Sequence, residues 1–275
     1  MKFGTKIGLA ALGAAGAWCA LLRPRRNQPG WDKLTGVKYA HRGLHNADKG
    51  VPENSMAAFQ LAVEAGFGAE LDVHLMADGN LAVVHDSDLT RVCGKPGIIE
   101  ELVEEDLIKY PLMGTEELIP LFQEVLELFE GKTPLIIELK VEGGNANALT
   151  DAVMAMLEDW NGVYCLESFH PGVLLRLKER YPWVLRGQLS QNFLKGSEVH
   201  GLSLPARFLL TNLLTTAFTG PDFVAYKWQD RKNPSLRLMR ALYGVHEVGW
   251  TVRDRQTLDD LEADGVPAIF EGFLP

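Results

Sequence analysis

An α/β barrel of the TIM type, (β/α)8, is the fold this sequence predicts, and three observations predict it. Short apolar runs alternate with stretches of helical period between residues 37 and 270, the pattern of βα units on a parallel sheet. Nine runs read as strands, but residues 81–85 return after a short Asp78-Gly79 link that cannot make a parallel crossover, which leaves eight parallel strands. Polar residues collect at the C-terminal ends of these runs, where such barrels carry their active sites. A chain of 275 residues, 47% of them hydrophobic, is long enough for one such core.

Residues 7–22 carry no charge and stand between Lys2 and Lys6 on one side and Arg23-Pro24-Arg25-Arg26 on the other. As a helix this run spans about 24 Å, short of a hydrocarbon core near 30 Å unless Lys6 snorkels and Phe3 joins it. Residues 1–26 are therefore expected to form an N-terminal hydrophobic helix that anchors the chain to a membrane. A cleaved signal with a secreted product is the alternative, and a soluble terminal helix a third reading. The arginines after the run place the rest of the chain in the cytoplasm by the positive-inside rule, though Lys2 and Lys6 nearly balance them. Residues 27–36 read as a linker, and residues 37–275 as the barrel domain.

The first strand, residues 37–40, closes on His41-Arg42-Gly43. Glu53-Asn54-Ser55 then precedes Met56, Phe59, Ala62 and Val63 at helical spacing, with Asn54 or Ser55 as N-cap. In Glu70-Leu71-Asp72 the two carboxylates alternate with a leucine and so share one face of a strand. With Asp78-Gly79 as a two-residue turn, Met76 faces Leu81 and Asp72 faces His85, making a β-hairpin extension after strand 2. His74 lies further along on the Asp72 face and reads as surface. Residues 87–132 form a small acidic insertion in which Glu100-Glu101 and Glu104-Glu105-Asp106 read as a solvated face, with a helix at 121–129. Residues 135–140 are the nearly continuous apolar run of a strand covered on both faces, and Glu138 and Lys140 share one side of it. Helices follow at 147–160, 173–180, 236–242 and 258–263, and strands at 163–169, 184–189, 223–228, 247–252 and 267–270; the apolar stretch 193–219 reads as helix and loop broken by Pro205.

A net charge of −9 and a pI near 5.3 argue against a nucleic-acid partner. Cys19, Cys93 and Cys165 are odd in number and follow no CxxC spacing, so neither a disulfide framework nor a zinc site is expected. GxSxG, GxxxxGK[ST] and HExxH are all absent, which weighs against serine hydrolase, P-loop and zincin chemistry. What remains is a set of hard donors and imidazoles. Glu70, Asp72 and Glu138 offer an all-oxygen site suited to Ca²⁺ or Mg²⁺. His41 and His85 supply imidazole, a side chain that ordinarily titrates near neutrality and can both take and give a proton, and so suit an acid/base pair.

The ordered set His41-Arg42-Gly43, Pro52-Glu53-Asn54-Ser55, Glu70-x-Asp72, Asp78-Gly79 to His85-Asp86, and Glu138-Leu139-Lys140 resembles the glycerophosphodiester phosphodiesterase family. The likeness extends more weakly to Ser168-Phe169 and Trp250-Thr251. The chain departs from the family near Met76, where a Thr is usual, and at Phe270-Glu271, where a Thr-Asp pair is usual. The resemblance implies the same barrel, with Glu70, Asp72 and Glu138 as metal ligands and His41 and His85 as catalytic acid and base. It also implies Arg42 and Lys140 on the phosphoryl group and Asn54 near the phosphate. Glu53 is expected to orient Arg42 or complete the metal shell, and Trp250 to wall the glycerol or pack in the core. The implied substrate is a glycerophosphodiester, cleaved through a cyclic phosphate to sn-glycerol 3-phosphate and an alcohol. A lysophospholipase D-like enzyme on lysophospholipids and a non-catalytic membrane-tethered binding module are the other readings.

Overall fold

The computed structural model describes residues 3–25, 30–195 and 201–275, with only the backbone for residues 3–11. Lys2, the side chain of Lys6, residues 26–29 around the start of the expected linker, and His200 lie outside the described residues. The chain opens with α1 (Phe3–Leu21), and after it come β1 (Tyr39–His41), α2 (Met56–Glu64), β2 (Gly68–Leu75), β3 (Leu81–Val83) and α3 (Thr90–Cys93). Next are α4 (Phe122–Phe129), β4 (Leu135–Leu139), α5 (Ala146–Leu157), β5 (Tyr164–Ser168), α6 (Pro171–Arg180) and β6 (Arg186–Ser190). The remainder is α7 (Leu204–Thr211), α8 (Thr216–Thr219), β7 (Phe223–Lys227), α9 (Pro234–Tyr243), β8 (His246–Val252), α10 (Arg255–Ala263) and β9 (Ala268–Phe270).

Strand β1 pairs in parallel with β2 on one side and β9 on the other, which closes the ring β1-β2-β4-β5-β6-β7-β8-β9. Among the strands of the described residues only β3 runs antiparallel, as an arm on β2. The predicted TIM barrel of eight parallel strands is thus the fold. Its staves are covered on both faces: Ile136 of β4 points to the barrel interior with Tyr39, Cys165, Phe223 and Ile269, while Leu135, Ile137 and Leu139 pack outward against helices. Each such fully buried side chain contributes about 1.5–3 kcal/mol. Within the stretch read as a linker, Trp31 and Leu34 are buried against the first residues of β7 and β8. Trp31 stacks on His246 at 4.4 Å and the Tyr39 hydroxyl donates to the Leu34 carbonyl at 2.8 Å, so this end of the barrel is plugged.

The hairpin is real, but its register is one residue away from the predicted one. Leu75 faces Leu81 and Val73 faces Val83, because the connection is longer than a two-residue turn: Met76 N–H donates to the Asn80 carbonyl, with Gly79 at φ 91. On a continued strand that slip would put His85 on the wrong face. Strand β3 ends at Val83, however, and the chain turns, bringing His85 to the barrel mouth by another route. His74 is buried rather than surface, its Nδ1 against Glu100 and its Nε2 3.2 Å from the His85 carbonyl. Glu100 is correspondingly not part of a solvated face; it is half-buried and also accepts from the Ser87 hydroxyl at 2.6 Å. The insertion packs Met76, Val84, Leu89, Ile99 and Leu107 into a small core of its own, whereas Phe122, Val125 and Phe129 of α4 join the barrel's outer layer. Pro205 does not break its stretch. It sits in the first turn of α7, where its missing N–H costs nothing, and Ser203 caps that helix.

Helix α1 runs onto the barrel's outside at its C-terminal end. Leu22 is buried with Leu213, Leu214, Leu236 and Met239, and Trp18 packs against the same group. Trp18 Nε1–H donates to Ser235 Oγ at 3.1 Å, Tyr243 O–H to the Cys19 carbonyl at 2.6 Å, and Thr216 O–H to the Leu21 carbonyl at 2.9 Å. Among the described residues, no helix is long and apolar enough to cross a membrane.

Candidate active site

Parallel register places the acids. Asp72 on β2 is paired with Glu138 on β4, which is paired with Glu167 on β5, so successive staves present carboxyls at one level of the barrel mouth. Glu70 lies two residues back along β2 on the same face, as the alternation predicts, and Leu71 and Val73 point outward. The carboxylate oxygens of Glu70, Asp72 and Glu138 lie within 4.8 Å of one another, all buried.

Two cations face these four carboxyls. Lys140, just past β4, puts Nζ 2.9 Å from Asp72 Oδ1 and 2.8 Å from Glu138 Oε1. Arg42 directs Nε to Asp72 Oδ2 at 3.4 Å and donates its backbone N–H to Glu70 Oε2 at 3.2 Å. Burial alone raises a carboxyl's pKa; at Asp72 it is outweighed by Lys140, His85 and Arg42, which hold it well below the usual range. At Glu70 burial and the charges of Asp72 and Glu138 win, pushing it well up, and Glu138 is raised mainly by burial against the pull of Lys140. Burial and Glu138 push Glu167 up as well, and its Oε2 has no hydrogen-bond partner. The cluster of buried carboxyls, the unpartnered Glu167 oxygen and the all-oxygen donor set fit a hard divalent cation held by Glu70, Asp72 and Glu138.

His41 and His85 both border one cavity of about 230 Å³ with Glu70 and Glu138. His41 Nε2 is 3.9 Å from Glu70 Oε2, and its Nδ1 is 3.3 Å from Glu271 Oε2. Burial lowers His41 to about 4, opposed by its hydrogen bond to Glu271. His85 sets Nδ1 2.6 Å from Asp86 Oδ1, and that bond, with one from Arg91, keeps Asp86 well below the usual carboxylate range. Each ring therefore has a carboxylate behind Nδ1, which leaves Nε2 for the mouth.

The supporting residues resolve into clear tasks. Ser55, not Asn54, caps α2 by accepting from Ala58 N–H at 3.1 Å. Asn54 donates Nδ2–H to Asp72 Oδ2 at 2.9 Å. Glu53 pairs with Arg42 at 2.7 Å, so it orients that guanidinium, and it is itself gripped by two bonds from Arg91 at 3.0 and 2.7 Å. Gly43 is required where it stands: its φ is 79, and a Cβ there would meet the Ala58 backbone at 2.8 Å. Trp250 borders the cavity and meets Phe169 edge-on at 5.7 Å, so it is both wall and packing.

Sequence reasoning missed several participants. Glu271 carries His41 and also faces His45 Nε2 at 3.6 Å, while Arg253 pairs with it at 2.7 Å. His45 thus belongs to the mouth, and His41, His45 and Glu271 form a second group able to hold a metal ion. The nearby Arg253 disfavours a cation there. Arg91 has no motif to announce it. Glu167 and Lys227 were findable, since each is a charged residue near the C-terminal end of an apolar strand, and Lys227 lines the cavity.

A closed parallel barrel with buried carboxyls, two cations and two carboxylate-backed imidazoles at its C-terminal mouth defines a hydrolytic type of TIM-barrel site. Residues 41–272 match the Glycerophosphoryl diester phosphodiesterase family, and the chain belongs to that family of phosphoric diester hydrolases; it is an enzyme of this kind. A glycerophosphodiester phosphodiesterase of Bacillus altitudinis is 29% identical over 249 residues, 86% of this chain and 94% of that protein. A lysophospholipase D of Rattus norvegicus is 34% identical over 51% of this chain and 46% of its own. In fold the chain is similar to an Oleispira antarctica phosphodiesterase solved with the product sn-glycerol-3-phosphate, at TM-score 0.68, 23% identity, and 86% and 93% of the two chains.

Proposed function

We propose that the chain is a divalent-cation-dependent hydrolase of glycerophosphodiesters, releasing sn-glycerol 3-phosphate and an alcohol. The observation that carries this reading is the placement of both imidazoles on the one cavity that holds Glu70 and Glu138. Glu70, Asp72 and Glu138 would hold Ca²⁺ or Mg²⁺, which when bound supplies Lewis-acid polarisation of a phosphoryl oxygen. Arg42 and Lys140 bind the diester's anionic oxygens, Arg42 by its planar fork and Lys140 as a point charge. Asn54 fixes Asp72, and Trp250 walls the glycerol.

His41 is neutral at working pH because burial holds it near 4, so its Nε2 accepts the proton of the glycerol 2-hydroxyl. The freed oxygen attacks phosphorus, and His85, with Asp86 behind it, gives a proton to the departing alcohol oxygen. Water then opens the cyclic phosphate with the two roles exchanged. Because attack begins at a free 2-hydroxyl, the substrate carries at most one acyl chain.

A second reading, hydrolysis of lysophospholipids, is favoured by a larger apolar cavity of about 670 Å³ that adjoins the first at His85, Glu138 and Phe169. We propose further that residues 1–26 tether the barrel to a membrane, with the barrel at the cytoplasmic side. Turnover of glycerophosphocholine and lysophosphatidylcholine, each with EDTA and then with added Ca²⁺ or Mg²⁺, tests these points. Loss with chelator and recovery with one cation is expected; undiminished turnover in EDTA would remove the metal from the scheme.

A further inference from the structure

We propose that α7 is a lipid-contact helix, its outer face lying with α1 in a bilayer surface while its inner face walls an acyl-chain site that opens onto Glu138 and Lys140. The inference rests on the phosphodiesterase reading above and adds the place from which a one-chain lipid substrate reaches the site.

The two faces of α7 differ in what they meet. Ala206, Leu209 and Leu210 border the 670 Å³ cavity, opposite Phe169 and Phe193, and the lining continues to Lys140 and His85. That volume lies within the usual range of about 300–1,000 Å³ for ligand cavities. Leu204 and Phe208, four residues apart and so on one stripe, point away from it, 72% and 43% exposed. The Phe208 ring meets Trp18 of α1 edge-on at 5.8 Å, which joins the two helices into one apolar surface. On α1, residues 12–17 are all exposed and are Leu, Gly or Ala, with Leu12 72% exposed. A helical stretch apolar on every side, left in the open, calls for apolar surroundings, and the helix's fixed end beside α8 and α9 puts that demand on the α7 side of the barrel.

Charge selects the occupant. The chain has 36 Asp and Glu residues, yet residues 1–31 and 201–219 contain none. Among the described residues, Arg23, exposed just past α1, and Arg207 on α7 place cations beside this surface. Two helices that carry no acid of their own, with cations beside them, suit an anionic headgroup layer, into which an apolar helix face settles by several ångströms. A second copy of this chain would bring the same cations and no acids, so it gains nothing from them. In the site, the lipid's phosphodiester takes the place of the glycerophosphodiester at Lys140. The 2-hydroxyl attacks phosphorus, the headgroup alcohol leaves with the proton from His85, and water completes the product, an acylglycerol 3-phosphate whose chain remains under α7.

The test uses the full chain and vesicles of phosphatidylcholine and phosphatidylglycerol with and without lysophosphatidylcholine. In sedimentation the wild type should pellet with vesicles, and Leu204→Ser/Phe208→Ser, which melts like wild type, should need about tenfold more lipid for half-binding, the effect of about 1.4 kcal/mol. The ratio of vesicle lysophosphatidylcholine turnover to glycerophosphocholine turnover should fall by a similar factor. An unchanged lipid requirement would leave the contact to α1 alone and overturn the role of α7. Ala206→Trp, which fills the cavity, should raise KM for lysophosphatidylcholine far more than KM for glycerophosphocholine; equal changes would overturn the acyl site. Vesicle binding is read without turnover, so a wild type that binds lipid but cleaves neither substrate refutes the phosphodiesterase reading and leaves the lipid contact standing.

Discussion

Two walls of opposite character face each other across Glu138 and Lys140. On the β1, β2 and β9 side every functional group is tied to another: His41 to Glu271, Arg42 to Glu53 and Asp72, Asn54 to Asp72. On the α7 side Phe169, Phe193, Leu209 and Leu210 present no charge and form no such network. Such a network fixes direction, whereas an apolar surface accepts any chain that fits. On the proposed scheme the charged wall would set the reaction, and the apolar wall would set what hangs from the phosphorus.

Changes on the charged wall should lower turnover of every substrate alike. His85→Ala should show the largest effect, a loss of about 10²–10⁴ in kcat for both glycerophosphocholine and lysophosphatidylcholine, with thermal melting near wild type. Retained activity on either substrate would show that the second proton donor lies elsewhere. Glu271→Gln should cost about tenfold to a hundredfold in kcat by letting the His41 ring turn, with KM little changed. A rise in KM alone would assign Glu271 to substrate binding instead.

Acidification sharpens the same contrast. His41 has a folded pKa near 4 against an ordinary 6.5, so between those values the unfolded chain binds the proton first and stability falls as pH is lowered. Glu271 is depressed by its bonds to His41 and His45, so its contribution, present above the unfolded carboxylate range, is also lost toward acid. Melting temperature should drop from pH 6.5 to 4, and His41→Asn should flatten that slope; an identical slope would place the acid-sensitive groups outside the mouth. Arg91→Ala is expected to have the smallest effect. Its side chain is half exposed, so stability should change by under about 1 kcal/mol, while Glu53 loosens and kcat falls a few-fold.

The barrel was legible because strand and helix periods differ and because eight staves leave one hairpin arm over. The acids were legible because they interrupt or alternate with apolar residues of a strand, and His41 because it ends one. His85 was placed at the mouth by a register that is off by one, and it arrives there only because β3 is short. Trp31 and Leu34 escaped notice because a plug at the barrel's closed end needs two apolar side chains and no periodicity. Glu271 escaped because the likeness in sequence weakens at the last strand, where the chain has Phe270-Glu271 and a longer acid reaches back to His41. His74 and Glu100 escaped because they satisfy each other across the insertion, a pairing no local pattern reveals.

Arg42 and Asn54 both hold left-handed backbone angles, φ 55 and 53, and the Asn54 N–H donates to the Arg42 carbonyl at 2.9 Å. Non-glycine residues adopt that conformation at a cost and keep it only where their surroundings dictate it. The corner proposed to hold the anion is consequently closed to gradual remodelling: β-branched replacements there would spoil the chain path before they altered any contact. Any drift of this protein toward new headgroups or chains is left to the opposite side, where leucines can be exchanged one methyl at a time.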